Sequence, residues 1–181
     1  MQRFRFYTKD DLLSLTKIRR FETKLGERLQ VLPNNQEPEA ALLASAAKFV
    51  LFGIPEDVGV KANYGIGGAD TAWFPFLNSF LNIQSNDFLG GEEILLLGHF
   101  DFADVESLIE NNAHSYEEKV DAYRHAVTRI DEEVKALTNL FTAAQKIPIA
   151  IGGGHNNAYP LIKGAAKGLH KAGVLQLAQI N

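Results

Sequence analysis

Three short apolar runs, each stopped by a glycine, constrain what this 181-residue chain can fold into more than any other feature. They are Lys48-Phe49-Val50-Leu51-Phe52-Gly53-Ile54, Glu93-Ile94-Leu95-Leu96-Leu97-Gly98 and Ile147-Pro148-Ile149-Ala150-Ile151-Gly152. A short apolar run without polar alternation is the pattern of a strand buried on both faces, as parallel sheets require. A fourth run, Val174 to Ile180, follows Gly173. Between the second and third runs, Tyr123, Val127, Ile130, Val134, Leu137, Phe141 and Ala144 recur at steps of three and four, with charged residues between them, which predicts an amphipathic helix. Asn157 to Lys171 is rich in Ala, Leu and Lys and meets Gly173 as a stop signal, so it predicts a second helix. Strand, helix, strand, helix, strand implies an α/β fold in which a parallel sheet is flanked by helices in three layers.

The rest of the chain divides around that core. Residues 1–44 read as a helical arm, with a short aromatic stretch at Phe4 to Tyr7 and Thr8 as an N-cap before Asp10-Asp11-Leu12-Leu13. Pro33-Asn34-Asn35-Gln36-Glu37-Pro38 reads as a loop, and residues 45–181 as the α/β domain. Composition narrows the function classes. A net charge of −4, without a dense Lys/Arg run, argues against nucleic acid as a partner. The absence of cysteine excludes disulfides and thiolate metal sites and fits a reducing compartment. Met1-Gln2-Arg3-Phe4-Arg5-Phe6 lacks the apolar centre of a signal peptide, and no apolar run approaches the roughly 20 residues that span a bilayer, so the chain reads as soluble and cytoplasmic, with no membrane partner.

In open α/β sheets ligands gather at the carboxyl ends of the strands, which directs attention to three loops. Gly152-Gly153-Gly154-His155-Asn156-Asn157 follows one strand and opens a helix; its glycines let the backbone turn tightly and put His155 at the strand's mouth. His155 is there either a metal ligand or a hydrogen-bonded structural residue. A phosphate loop is the weaker alternative, because the Lys and hydroxyl of that motif are missing. The segment from Gly53-Ile54-Pro55-Glu56-Asp57-Val58-Gly59-Val60 through Asn63-Tyr64-Gly65-Ile66-Gly67-Gly68-Ala69-Asp70 is either a functional loop or a turn-rich surface segment with solvated acids. At Gly98-His99-Phe100-Asp101, the pairing of His99 with Asp101 favours a structural role. His114, His125 and His170 read as solvated, and Trp73, Phe74 and Phe76 as packing residues of a core or subunit face.

Taken together, these pieces resemble the ureohydrolase family of arginases, agmatinases and formimidoylglutamases, with the formimidoylglutamase-like branch the nearest. Leu51 to Gly59 is similar to that family's first strand and its glycine, proline and acid turn. Asn63 to Ala69 is similar to its Gly-Ala loop, Ile151-Gly152-Gly153-Gly154-His155 to its first metal-ligand motif, and Arg20 to Glu27 to a leader of bacterial members. The resemblance implies an arginase-like sheet, a pair of manganese ions with His155 as one ligand, and Asn63 and Gly68 as substrate-loop candidates. It implies hydrolysis of a guanidino or formimino carbon by a hydroxide formed on the two ions. Gly154, where arginases commonly carry Asp, leans toward formimidoylglutamase-like chemistry. The family's Asp-x-His-x-Asp and later Asp-x-Asp ligand motifs are not in this sequence, and Asn181 lies about where the first would begin. The expectation is therefore an N-terminal portion of such an enzyme, inactive as it stands and associating with itself through uncovered sheet edges. The alternative is a non-catalytic ureohydrolase-like module used for assembly or regulation.

Overall fold

The computed structural model describes residues 3–170. In chain order its elements are β1 (Phe4–Phe6), α1 (Lys9–Leu15), α2 (Leu25–Arg28), α3 (Pro38–Ala44), β2 (Phe49–Gly53), α4 (Val58–Ala62), α5 (Trp73–Leu81), β3 (Ile94–Phe100), α6 (Ala103–Asn112), α7 (Tyr116–Ala143), β4 (Ile147–Ile151) and α8 (Ala158–Gly168). Single 3-10 turns occupy Ala69–Ala72 and His155–Asn157. The sheet order is β1-β3-β2-β4, with β2 central and parallel to both β3 and β4. The three apolar runs are thus strands, and the periodic segment is the long helix α7. The run from Val174 to Ile180 lies outside the described residues.

Strands β2 and β3 present alternate residues to two apolar layers. On one side Val50, Phe52, Leu95 and Leu97 pack against Ile130, Val134, Leu137 and Phe141 of α7. On the other, Leu51, Ile94 and Leu96 meet Trp73, Leu77 and Leu81 of α5 together with Leu12, Leu25 and Leu29. The stepping by three and four along α7 is what turns its apolar stripe to the sheet. No helix among the described residues is long and apolar enough to cross a membrane.

One detail departs from the expectation of a wholly parallel sheet, and a second concerns its uncovered edge. First, Phe4–Phe6 forms an antiparallel edge strand, so the sheet is mixed. The close approach of β1 depends on Gly98, whose φ is +142° and where a Cβ would lie 1.9 Å from the Arg5 carbonyl oxygen. At the same place the β2–β3 register slips, Leu51 opposite Leu96 but Phe52 opposite Gly98. Thr8 does cap α1: its Oγ1 accepts the Asp11 N–H at 3.1 Å while Asp11 Oδ2 accepts the Thr8 N–H at 2.8 Å. Second, β4 is covered on one face only, leaving Ile147 45% and Ile149 37% exposed. It is the last strand of the described sheet, and α5 covers β2 and β3 instead.

Candidate functional site

The carboxyl ends of β2 and β4 lie side by side, and the loops that leave them are fastened to each other. After β4, Gly152 and Gly153 have φ of +84° and +86°. A Cβ on Gly153 would lie 2.2 Å from the Ile54 carbonyl oxygen, so only glycine lets this turn press against the segment that follows β2. The Gly153 N–H donates to the Ala69 carbonyl at 3.2 Å, and the Gly154 N–H to the Glu56 carbonyl at 2.9 Å.

Glu56 completes the join. Its side chain is fully buried, and Oε1 accepts the Gly154 N–H at 3.0 Å, the Asn156 amide at 3.4 Å and the Asn157 amide in a short contact. Its Oε2 faces the Gly59 N–H at 3.4 Å. Asp57, 3% exposed, serves the other loop: Oδ2 accepts the Gly68 N–H at 2.9 Å and Oδ1 lies 2.7 Å from Lys61 Nζ. Lys61 also reaches Glu106 of α6 at 2.9 Å. Burial disfavours the Lys61 charge, but its hydrogen bonds to Asp57 and Glu106 outweigh this and hold the ammonium well above its usual range. Asp131 on α7 responds to the same neighbourhood: burial first, then the charge of Glu56, pushes its carboxyl up. Its Oδ1 is buried without a hydrogen-bond partner among the described residues.

The residues singled out from sequence are distributed as follows. His155 is exposed at the start of the 3-10 turn that leads into α8, at the mouth of β4. Asn63 is exposed at the C-terminus of α4, its N–H donating to the Val60 carbonyl at 3.1 Å. Gly68 is exposed and held through its N–H by Asp57. The turn that carries His155 and the loop from Asn63 to Gly68 are thus brought to one end of the sheet by two consecutive acids. His99 and Asp101 do not share a site. His99 is 6% exposed among Tyr7, Phe74 and Trp73, with ring centroids 5.3, 5.3 and 6.3 Å away, and its Nδ1 has no hydrogen-bond partner among the described residues. Asp101 is exposed and accepts the Ala103 N–H at 3.1 Å at the start of α6. Burial, followed by the nearby Arg5 charge, lowers the His99 pKa. Trp73 packs in the core against Gly53, while Phe74 stays half exposed. His114, His125 and His170 are exposed.

Glu56 and Asp57 are the residues that sequence reasoning passed over, since acids in a Gly-rich loop read equally as solvated. The available signal was their place: two consecutive acids directly after Gly53-Ile54-Pro55, where a buried strand ends and the loop's many N–H groups need acceptors. Among the described residues, no group of three or more His, Cys, Asp or Glu side chains is placed to hold a metal ion. His155 alone does not fit a two-ion cluster, because a hard divalent ion needs several oxygen and nitrogen ligands.

The model of the arginase family matches residues 47–178, a span that takes in β2, β3, β4, both fastened loops and His155. No curated protein and no solved structure matches the chain at a significant level. The chain belongs to the arginase family.

Proposed function

We propose, from the premise of arginase-family membership, that this chain belongs to a manganese-dependent hydrolase of C–N bonds, acting on a small guanidino or formimino substrate. The observation that carries the reading is His155, exposed at the mouth of β4 on a Gly-Gly-Gly-His turn, beside the loop from Asn63 to Gly68. In this reading His155 is a manganese ligand, and Asn63 and Gly68 belong to the substrate loop. Gly154, directly before His155, supports the formimidoylglutamase-like branch. When bound, manganese would supply the activated water; among the described residues no group of three or more His, Cys, Asp or Glu side chains is placed to complete its ligand set. The chain's own part is to hold the turn and the substrate loop at one end of the sheet through Glu56 and Asp57.

The test is a manganese titration followed by the imidazole resonances of all five histidines. Selective paramagnetic broadening of His155, absent in His155→Ala, is the expected result. Equal broadening of every exposed histidine, or none at His155, removes it from the metal site. Substrate class is read from urea release by guanidino compounds and formamide release by formimino compounds. Self-association belongs to the same proposal and uses the uncovered Ile147 and Ile149 of β4; a monodisperse monomer in size-exclusion chromatography counts against it.

A further inference from the structure

We propose that Glu56 is a positioning residue: its buried carboxylate holds the turn from Gly152 to Asn157 and so fixes where His155 is presented. The proposal gives Glu56 a purpose that rests on the reading of His155 as a ligand, but the clamp itself stands on geometry. Gly154 on one side of His155, and Asn156 and Asn157 on the other, all donate to Glu56 Oε1. His155 is therefore bracketed by bonds to a single atom that lies 98 or more residues away in sequence.

The two glycines with positive φ permit this turn, yet their freedom admits many others. Selection among these requires an acceptor in one place. Glu56 meets that need, being fully buried where hydrogen bonds to a carboxylate are strong and water does not compete. Its own position is set from β2 through Ile54, whose carbonyl accepts the Glu56 N–H at 2.9 Å, and from α4 through Gly59. The turn after β4 is thus referenced to the neighbouring strand.

Length and charge separate cleanly in two variants. Glu56→Gln keeps an acceptor oxygen at the Oε1 position and loses the charge. Glu56→Asp keeps the charge and withdraws the acceptor by one methylene. Two readouts that involve no metal are measured in each: amide hydrogen exchange at Gly154 and Asn157, and the diethyl pyrocarbonate reactivity of His155 relative to the exposed His114, His125 and His170. The expected result is that Glu56→Asp speeds exchange at Gly154 and Asn157 by about 10-fold, the scale of losing one hydrogen bond to an anion, because the Gly154 N–H keeps its bond to the Glu56 backbone carbonyl. It should also change the relative reactivity of His155 severalfold, while Glu56→Gln, which still accepts at the Oε1 position through a weaker, uncharged bond, changes both measures less than Glu56→Asp, and Trp73 remains buried throughout. The proposal is overturned if Glu56→Asp leaves both readouts unchanged, or if Glu56→Gln loosens the turn as much. Loss of the whole fold in both variants makes Glu56 a support of the fold and overturns it too. Because manganese enters none of these measurements, failure of the metal assignment and failure of the clamp are seen separately.

Discussion

Gly98→Ala tests whether the approach of β1 to β3 is set by a single missing side chain. The added Cβ would lie 1.9 Å from the Arg5 carbonyl oxygen, and the atom it meets is backbone, which has no rotamer to change. Alanine must also accept φ of +142°, a conformation that costs about 1–3 kcal/mol for residues with a Cβ. Relief of the clash requires β1 to move away. That breaks the Tyr7 N–H bond to the Leu97 carbonyl at 2.9 Å and the Asp101 N–H bond to the Arg3 carbonyl at 2.8 Å. At about 0.5–1.5 kcal/mol net for each of these two bonds, the loss adds about 1–3 kcal/mol. The total is about 2–6 kcal/mol, and a mid-range loss of about 4 kcal/mol lowers the melting midpoint by about 8–16 °C in a chain of this size. Urea unfolding followed by fluorescence of the single tryptophan, buried Trp73, measures the loss. Hydrogen exchange should show Tyr7 and Asp101 losing protection ahead of Leu96, whose N–H donates to the Gln30 carbonyl instead. A loss below about 1 kcal/mol, or uniform loss of protection along β3, would refute the reasoning.

Three further outcomes are expected. Because burial lowers the His99 pKa, the unfolded chain binds a proton below its ordinary value of 6.5 while the folded chain resists it, so stability should fall as pH drops through that value; urea midpoints at pH 7.5 and about 5.5 should differ less in His99→Phe than in the parent, and an unchanged slope would show that His99 does not titrate this way. Phe141→Ala, which empties a fully buried site whose ring centroid lies 5.2 Å from that of Phe52, should cost about 3–5 kcal/mol in the same unfolding assay. Lys61→Met leaves the buried carboxylate of Asp57 without its cation and should cost about 1–3 kcal/mol, with faster exchange at Gly68, whose N–H that carboxylate holds; wild-type exchange at Gly68 would show that Asp57 keeps its place without Lys61.

The legible parts of this protein were those whose cause is local. A strand buried on both faces must be apolar throughout, so Phe49–Gly53 and Ile94–Phe100 announce themselves. A helix on a sheet must repeat its apolar residues every three or four positions, which marks α7, and Thr8 caps α1 through a residue only three positions away. The glycines after β4 were likewise readable as a tight turn carrying His155. The tertiary structure decided everything that depends on a distant partner. Phe4–Phe6 became a strand because Gly98 leaves room for its backbone. His99 and Asp101, two positions apart, separated because β3 ends at Phe100: His99 stays in an aromatic enclosure, while Asp101 has left the sheet for solvent at the start of α6. Asp57 is held within its own loop by Gly68 and Lys61, but Glu56 was buried because the N–H groups of a turn 98 or more residues away meet it at the end of β2 and require an acceptor there. No local pattern encodes such a meeting, because the donors and the acceptor are brought together only when β2 and β4 pair.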